Sequence, residues 1–183
     1  MRNLICVLLI LITACKSETT TRIQQEKSID KSVYEIWQAY LKSHPELPQD
    51  ELPESWYFHD NRDDANRLAA LVLSRKKKAS SGLYTWYKDA NADLPKIGTK
   101  HIVTNFNGAA KAIIEITKVD TIPFNKIPKS YAALDMGIST NPLQKWKKAH
   151  WDFFTSSMVE SGETPTEDML IVCEEFKTIW PEK

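Results

Sequence analysis

Between Ser74 and Tyr87 the chain reads SRKKKASSGLYTWY. Four consecutive cations, Arg75, Lys76, Lys77 and Lys78, run directly into small hydroxyl residues, and Tyr84, Trp86 and Tyr87 follow at once. Basic side chains beside aromatic rings suit a nucleoside, nucleotide or RNA-like ligand, the cations meeting phosphate and the rings stacking on a base. The same run also fits a solvated helix end, where the helix dipole favours positive charge. Under either reading at least one of the three aromatics is expected to pack into the core. A second candidate is Glu115 in IIEIT, a carboxylate within an apolar strand that faces either solvent or a binding cavity.

Other chemistry is absent from the sequence. It has no phosphate-binding loop, dinucleotide fingerprint, paired-cysteine zinc pattern or His-Glu-x-x-His. The histidines at 44, 59, 101 and 150 are scattered without ligand spacing, so neither a metal nor a cofactor is expected. His150 lies on an aromatic stripe between Trp146 and Phe154, where packing is the simplest role. Formal charge balances at 24 cations against 24 anions, which argues against coating nucleic acid through bulk electrostatics. Any nucleic-acid contact would be local.

The elements that must position these residues can be read from period and punctuation. Ser32 and Glu35 have capping-box spacing, and Val33, Ile36, Trp37, Tyr40 and Leu41 share one helical face. Pro45, Pro48 and Pro53 break the loop that follows. A second helix is expected from Asn61–Asp64 to about Arg75, with Ala65, Leu68, Ala69 and Val72 inward, which puts the basic run at its C-terminus. Asn107-Gly108 is a hairpin turn joining strands over 100–106 and 109–122. Pro142 opens a further helix with Leu143, Trp146, His150, Phe153 and Phe154 on its apolar stripe, and residues 169–180 close the chain as a strand. Helices and antiparallel strands in this order make an α+β domain, expected as a small β-barrel with helices packed on it.

The N-terminus carries a different signal. Arg2 precedes nine apolar residues, Leu4 to Ile12, which as a helix rise only about 14 Å against a bilayer core of roughly 30 Å. A signal peptide fits, an anchor helix does not. Ile12-Thr13-Ala14-Cys15 resembles a bacterial lipobox, so cleavage before Cys15 and lipidation of that residue are expected. Residues 1–14 then form the signal peptide, 15–30 a polar tether and 31–183 the folded domain. Lys16 after the lipidated cysteine favours the outer membrane, if the cell has one. With Cys6 removed and Cys15 lipidated, Cys173 is left alone in MLIVC, where it suits a small buried hydrophobe.

The segments ESWYFHDN, LAALVLSRKKKAS, LPKIG, AIIEITKVDTIPFNKI, KAHWDFF and TEDMLIVCEEFKTIW follow the order and spacing of the ASCH domain family, and the chain resembles its longer bacterial branch. The resemblance takes in VYEIWQAYL as well and so covers residues 31–183. It implies a PUA-like β-barrel, similar to modules that bind RNA or modified nucleosides. In that family the loop after the second helix commonly reads Gly-Arg-Lys-Thr-x-Thr. Here Arg75 stands at the glycine position, Lys77 at the lysine, Lys78 at the first threonine and Ser80 at the last. Some small members are N4-acetylcytidine amidohydrolases that use a lysine, a threonine three residues on and a later glutamate, and these positions match Lys77, Ser80 and Asp135. Asp135 before Gly137 also suits an exposed loop carboxylate. Exported on a lipid, such a domain would meet extracellular nucleosides, oligonucleotides or another small anionic ligand.

Overall fold

The computed structural model describes residues 29–48 and 51–182. Cys15, the signal peptide and most of the tether lie outside the described residues. The elements are α1 (Lys31–Ser43), β1 (Ser55–Trp56), α2 (Arg62–Leu73), β2 (Ala79–Leu83), α3 (Tyr84–Asp89), β3 (Lys100–Thr104), β4 (Ala110–Pro123), α4 (Lys129–Met136), α5 (Pro142–Glu160) and β5 (Leu170–Trp180). A short 3-10 turn, Phe124–Lys126, leads from β4 toward α4. Among the described residues no helix is long and apolar enough to cross a membrane.

The strands form one sheet in the order β1-β3-β4-β5-β2, antiparallel apart from the parallel β1–β3 pair. Its spine is the long β4–β5 pair, which has register shifts at Ile113/Ile114 and Ile116/Lys118. Such irregularities bend a strand and increase its twist, so this pair can curl around a core. The α+β class and the PUA-like arrangement agree with expectation, but the barrel is not closed: no pairing joins β1 to β2. Only two residues long and following Pro53, β1 has too little ladder to seal that seam.

Three apolar clusters hold the helices to the sheet. Val33, Trp37, Tyr40 and Leu41 of α1 cover Ile102 and Ile113; Ala69 and Val72 of α2 cover Ala112, Ile114, Ile116 and Phe176. Apolar neighbours such as Ala112, Ile113 and Ile114 are explained by this arrangement, because β4 is buried on both faces at these residues. The third cluster joins α4 and α5 to β2 and β5 around Trp146 and Phe154, both fully buried.

The cap of α1 differs from expectation. Asp30 is the N-cap and accepts from the Ser32 amide at 2.9 Å, while Glu35 pairs with Lys31 at 2.8 Å. The Ser32 hydroxyl instead accepts from the Ala110 amide at 2.8 Å and ties the helix start to β4. Asp30, assigned to the tether from sequence, therefore belongs to the fold.

The apolar stripe of α5 carries a stability prediction. Trp146 packs against Phe124 and His150 with no exposed surface. Trp146→Ala should cost about 3–5 kcal/mol in chemical denaturation, as loss of a large core aromatic does; a cost below about 1 kcal/mol would contradict the packing.

Candidate functional site

The basic run begins at the end of α2, and the way that helix stops decides where each cation points. The Arg75 amide bonds to Val72 O at 2.8 Å and the Lys76 amide to Leu71 O at 2.9 Å, the paired bonds of a Schellman ending. That ending needs a left-handed residue, usually glycine, and Arg75 takes the conformation itself at φ 58°. The glycine-to-arginine difference from the family loop thus leaves the positive dihedral in place. The Arg75 guanidinium donates to Pro181 O at 2.8 Å. Beyond it, the Lys77 amide also reaches Leu71 O, the Lys78 amide donates to Leu134 O, and Lys78 O accepts from the Phe176 amide. Pinned to α2, α4 and β5, the loop leaves Lys76 and Lys78 exposed and turns Lys77 inward until it is 5% exposed.

Asp135, in the last turn of α4, meets it there. The Lys77 ammonium contacts Asp135 Oδ1 and donates to the Asp135 backbone carbonyl at 2.9 Å, where the C-terminal end of a helix favours a cation. Oδ2 accepts from Ser81 Oγ at 2.6 Å and Trp146 Nε1 at 2.7 Å, and His150 Nε2 lies 3.2 Å away. The carboxylate is 1% exposed, not the exposed loop residue that its place before Gly137 also allowed. Burial pushes its carboxyl up, but the Lys77 ammonium, with His150 beside it, holds it well below the usual carboxylate range. Gly137 lets the two segments meet: a Cβ there would lie 3.2 Å from the Lys76–Lys77 backbone.

Lys77, Ser81, Asp135 and His150 border a cavity of about 480 Å³. Phe58 and Phe153 supply apolar wall, Lys77 Nζ lies 4.9 Å from the Phe58 ring centre, and His59 and Arg67 also line the space. Ser80 and Ser81 both border it. Their bonding differs, since Ser81 gives its hydroxyl to Asp135 whereas the Ser80 carbonyl accepts from Tyr131. Ser81 and His150 are thus site residues that sequence reasoning did not select. The signal for Ser81 was the doubled serine after the basic run, and His150 both stacks on Trp146, with ring centres 4.2 Å apart, and faces the cavity.

The remaining candidates are placed elsewhere. Trp86 packs edge-on against Phe153 and Phe154, Tyr84 is exposed, and neither lines this cavity. Glu115 is held by Lys177 at 2.7 Å and Lys100 at 3.2 Å; against burial, these bonds keep its carboxyl below the ordinary range. Lys76 borders a shallow surface depression with Gly137 and Lys145. Cys173 is buried, and burial pushes its thiol up to about 12, which suits a core residue and not a nucleophile. No cluster of three or more potential metal ligands occurs among the described residues.

The buried pair makes a testable demand. Asp135→Asn leaves Lys77 without its counter-charge and should cost about 3–5 kcal/mol. Because the folded carboxyl is depressed, its contribution is complete above about pH 4, where an unfolded Asp is ionised, and is lost as pH falls through the folded value. Urea midpoints should show the advantage of wild type over Asp135→Asn full at neutral pH and shrinking below about pH 4. An advantage unchanged to pH 2 would refute the pairing.

Comparison with known proteins gives this geometry its context. No curated protein matches the chain. Among solved structures, the Enterococcus faecalis V583 protein EF3133 is 33% identical, with a TM-score of 0.73 over 81% of this chain and 88% of its own. An ASCH domain from Lactobacillus crispatus JV V101 is 31% identical, also with a TM-score of 0.73, over 82% and 96%. The family model for the ASCH domain matches residues 54–180, a stretch that runs from the start of β1 through β5 and includes every residue of the cluster. With that match spanning most of the chain, the protein is a member of the ASCH domain family.

Proposed function

We propose that the cavity bordered by Lys77, Ser81 and His150 binds a nucleoside, nucleotide or RNA-like ligand. The observation that carries the reading is the fully partnered Asp135–Lys77 pair at a cavity of about 480 Å³, within the size range of small-molecule sites. A carboxylate held below its ordinary range by a specific charged partner beside a cavity is a functional-site candidate. Phe58 and Phe153 offer apolar surface to a base, while Lys77 and Arg67 offer donors to its polar edge or sugar. A protein exported and lipidated at Cys15 would present this site at the cell envelope, to ligands outside the cytoplasm.

A second reading is amide hydrolysis of an N4-acylated cytidine, favoured by the Ser81–Asp135–Lys77 chain of contacts. Ser81 Oγ attacks the acyl carbonyl while Lys77 relays the proton. Its ammonium gives one to the departing exocyclic nitrogen as the C–N bond breaks and takes the serine's in its place, and Asp135 keeps its charge and orients both groups. Water then hydrolyses the acyl-serine and releases the carboxylic acid and the free hydroxyl. The family correspondence points to Ser80 as the hydroxyl; the bond to Asp135 favours Ser81.

Both readings are tested by incubating the full chain with cytidine and N4-acetylcytidine, following binding by calorimetry and product by absorbance. Binding to either nucleoside should fall at least about tenfold in Lys77→Ala and stay near wild type in Lys76→Ala and Lys78→Ala. Hydrolysis, if present, should vanish in Ser81→Ala with binding retained and persist in Ser80→Ala. Equal and negligible effects at Lys76, Lys77 and Lys78 would overturn the assignment of this cavity.

A further inference from the structure

A second cavity, of about 490 Å³, is lined by Trp56 of β1, whose ring meets Phe58 of the first cavity edge-on at 4.7 Å between centres. Glu174 of β5 reaches into it with its carboxylate accepting from the Tyr87 hydroxyl at 3.2 Å. Burial raises that carboxyl above its ordinary range, the mark of an anion short of positive partners. On β3, His101 Nδ1 is buried without a hydrogen-bond partner, and Glu54 Oε2 stops 3.9 Å from it. Burial also lowers the imidazole, which favours the neutral ring and leaves a nitrogen free to accept. Lys96 is the one lysine or arginine among the described residues lining this space, and it is already paired with Asp93 at 2.7 Å. The unmet groups are therefore acceptors.

We propose that this second cavity binds a primary ammonium group. Such a group has three N–H donors, matching Glu174, Glu54 and His101 Nδ1, and the Trp56 ring offers a face for the cation. A phosphate or carboxylate would meet two carboxylates and no free cation.

The test is titration of the full chain with n-butylammonium chloride while the His101 ring resonances are followed by NMR, with n-butanol as the uncharged control. A saturable shift with the amine and none with the alcohol is expected. Glu174→Gln should weaken binding by about tenfold or more, and Glu54→Gln, at the exposed rim, by about two- to threefold. Saturating cytidine should leave amine binding unchanged, which separates this site from the nucleoside reading. A lysine-containing pentapeptide in place of the amine shows the source: tighter binding points to a protein lysine, weaker binding to a free amine. Equal shifts with amine and alcohol would overturn the proposal, as would Glu174→Gln binding like wild type. Should Glu174→Gln fail to fold, undiminished binding by Glu54→Gln would overturn it instead.

Discussion

A carboxylate that water cannot reach must find all of its partners inside the protein, and Asp135 imposes that demand on everything around it. Its two oxygens and its own backbone carbonyl take up Lys77, Ser81 and Trp146, with His150 alongside. These partners come from the loop after α2, from β2 and from α5, while Asp135 itself ends α4. Two stretches far apart in sequence, 77–81 and 135–150, are thus referred to one charged group. Removing any one partner leaves a buried charge or donor unmet, so the cluster is costly to disturb even where its net contribution to stability is small. That asymmetry favours a single arrangement of the cavity wall over many near-equivalent ones.

The loop that delivers Lys77 shows how the demand is met. A lysine at the end of a helix would ordinarily extend into water, since its charge is well solvated there. Here the backbone forecloses that option: successive amides of Arg75, Lys76, Lys77 and Lys78 are all committed to carbonyls of α2 or α4. With the main chain held on both sides, neighbouring side chains point alternately out, in and out. Arg75 bears a left-handed conformation that glycine would adopt more easily, and its guanidinium bond to Pro181 O helps hold the turn in place. Ligand-free rigidity of this kind reduces what binding must spend on ordering the site.

Much of the fold was legible because its signals are local. The Asn107-Gly108 turn, the Asn61 cap of α2, Pro142 at the start of α5 and the apolar face of α1 each depend on a few neighbouring residues, and each element lies where those residues place it. The family resemblance brought Lys77 and Asp135 together before any contact was known. What sequence could not supply was partnership across distance. Asp135 in isolation looks like a turn carboxylate, because nothing near it in sequence says that Lys77, 58 residues away, will neutralise it. Ser81 was passed over for Ser80 because spacing along the chain does not tell which hydroxyl faces α4. His150 was read from its helical stripe as packing; the stacking on Trp146 bears this out, and the nitrogen facing Asp135 adds a second role. The short parallel strand β1 has no period to detect at two residues, and the open seam follows from it.

That seam explains why two cavities can exist in so small a domain. Closing the barrel would pair β1 with β2 and bring Trp56 and Phe58 against the β2 edge, with backbone ladder and packed side chains filling the gap. Left unpaired, the two edges each turn residues into the space between them. Phe58, Ser80 and Ser81 border one cavity, while Trp56 and, just past β2, Tyr87 border the other. Glu174 is paired in register with Ser80 and lies between these regions, where it feels both the Asp135 charge, which raises its carboxyl, and the Lys77 charge, which lowers it. Unpaired edges are ordinarily a liability for self-association, and here both are short, two residues in β1 and five in β2. An edge too short to recruit another strand can stay open, and an open edge can be lined with charge. The cavity beside the Asp135–Lys77 pair and the acceptor-lined cavity are therefore consequences of the same unclosed strand pair.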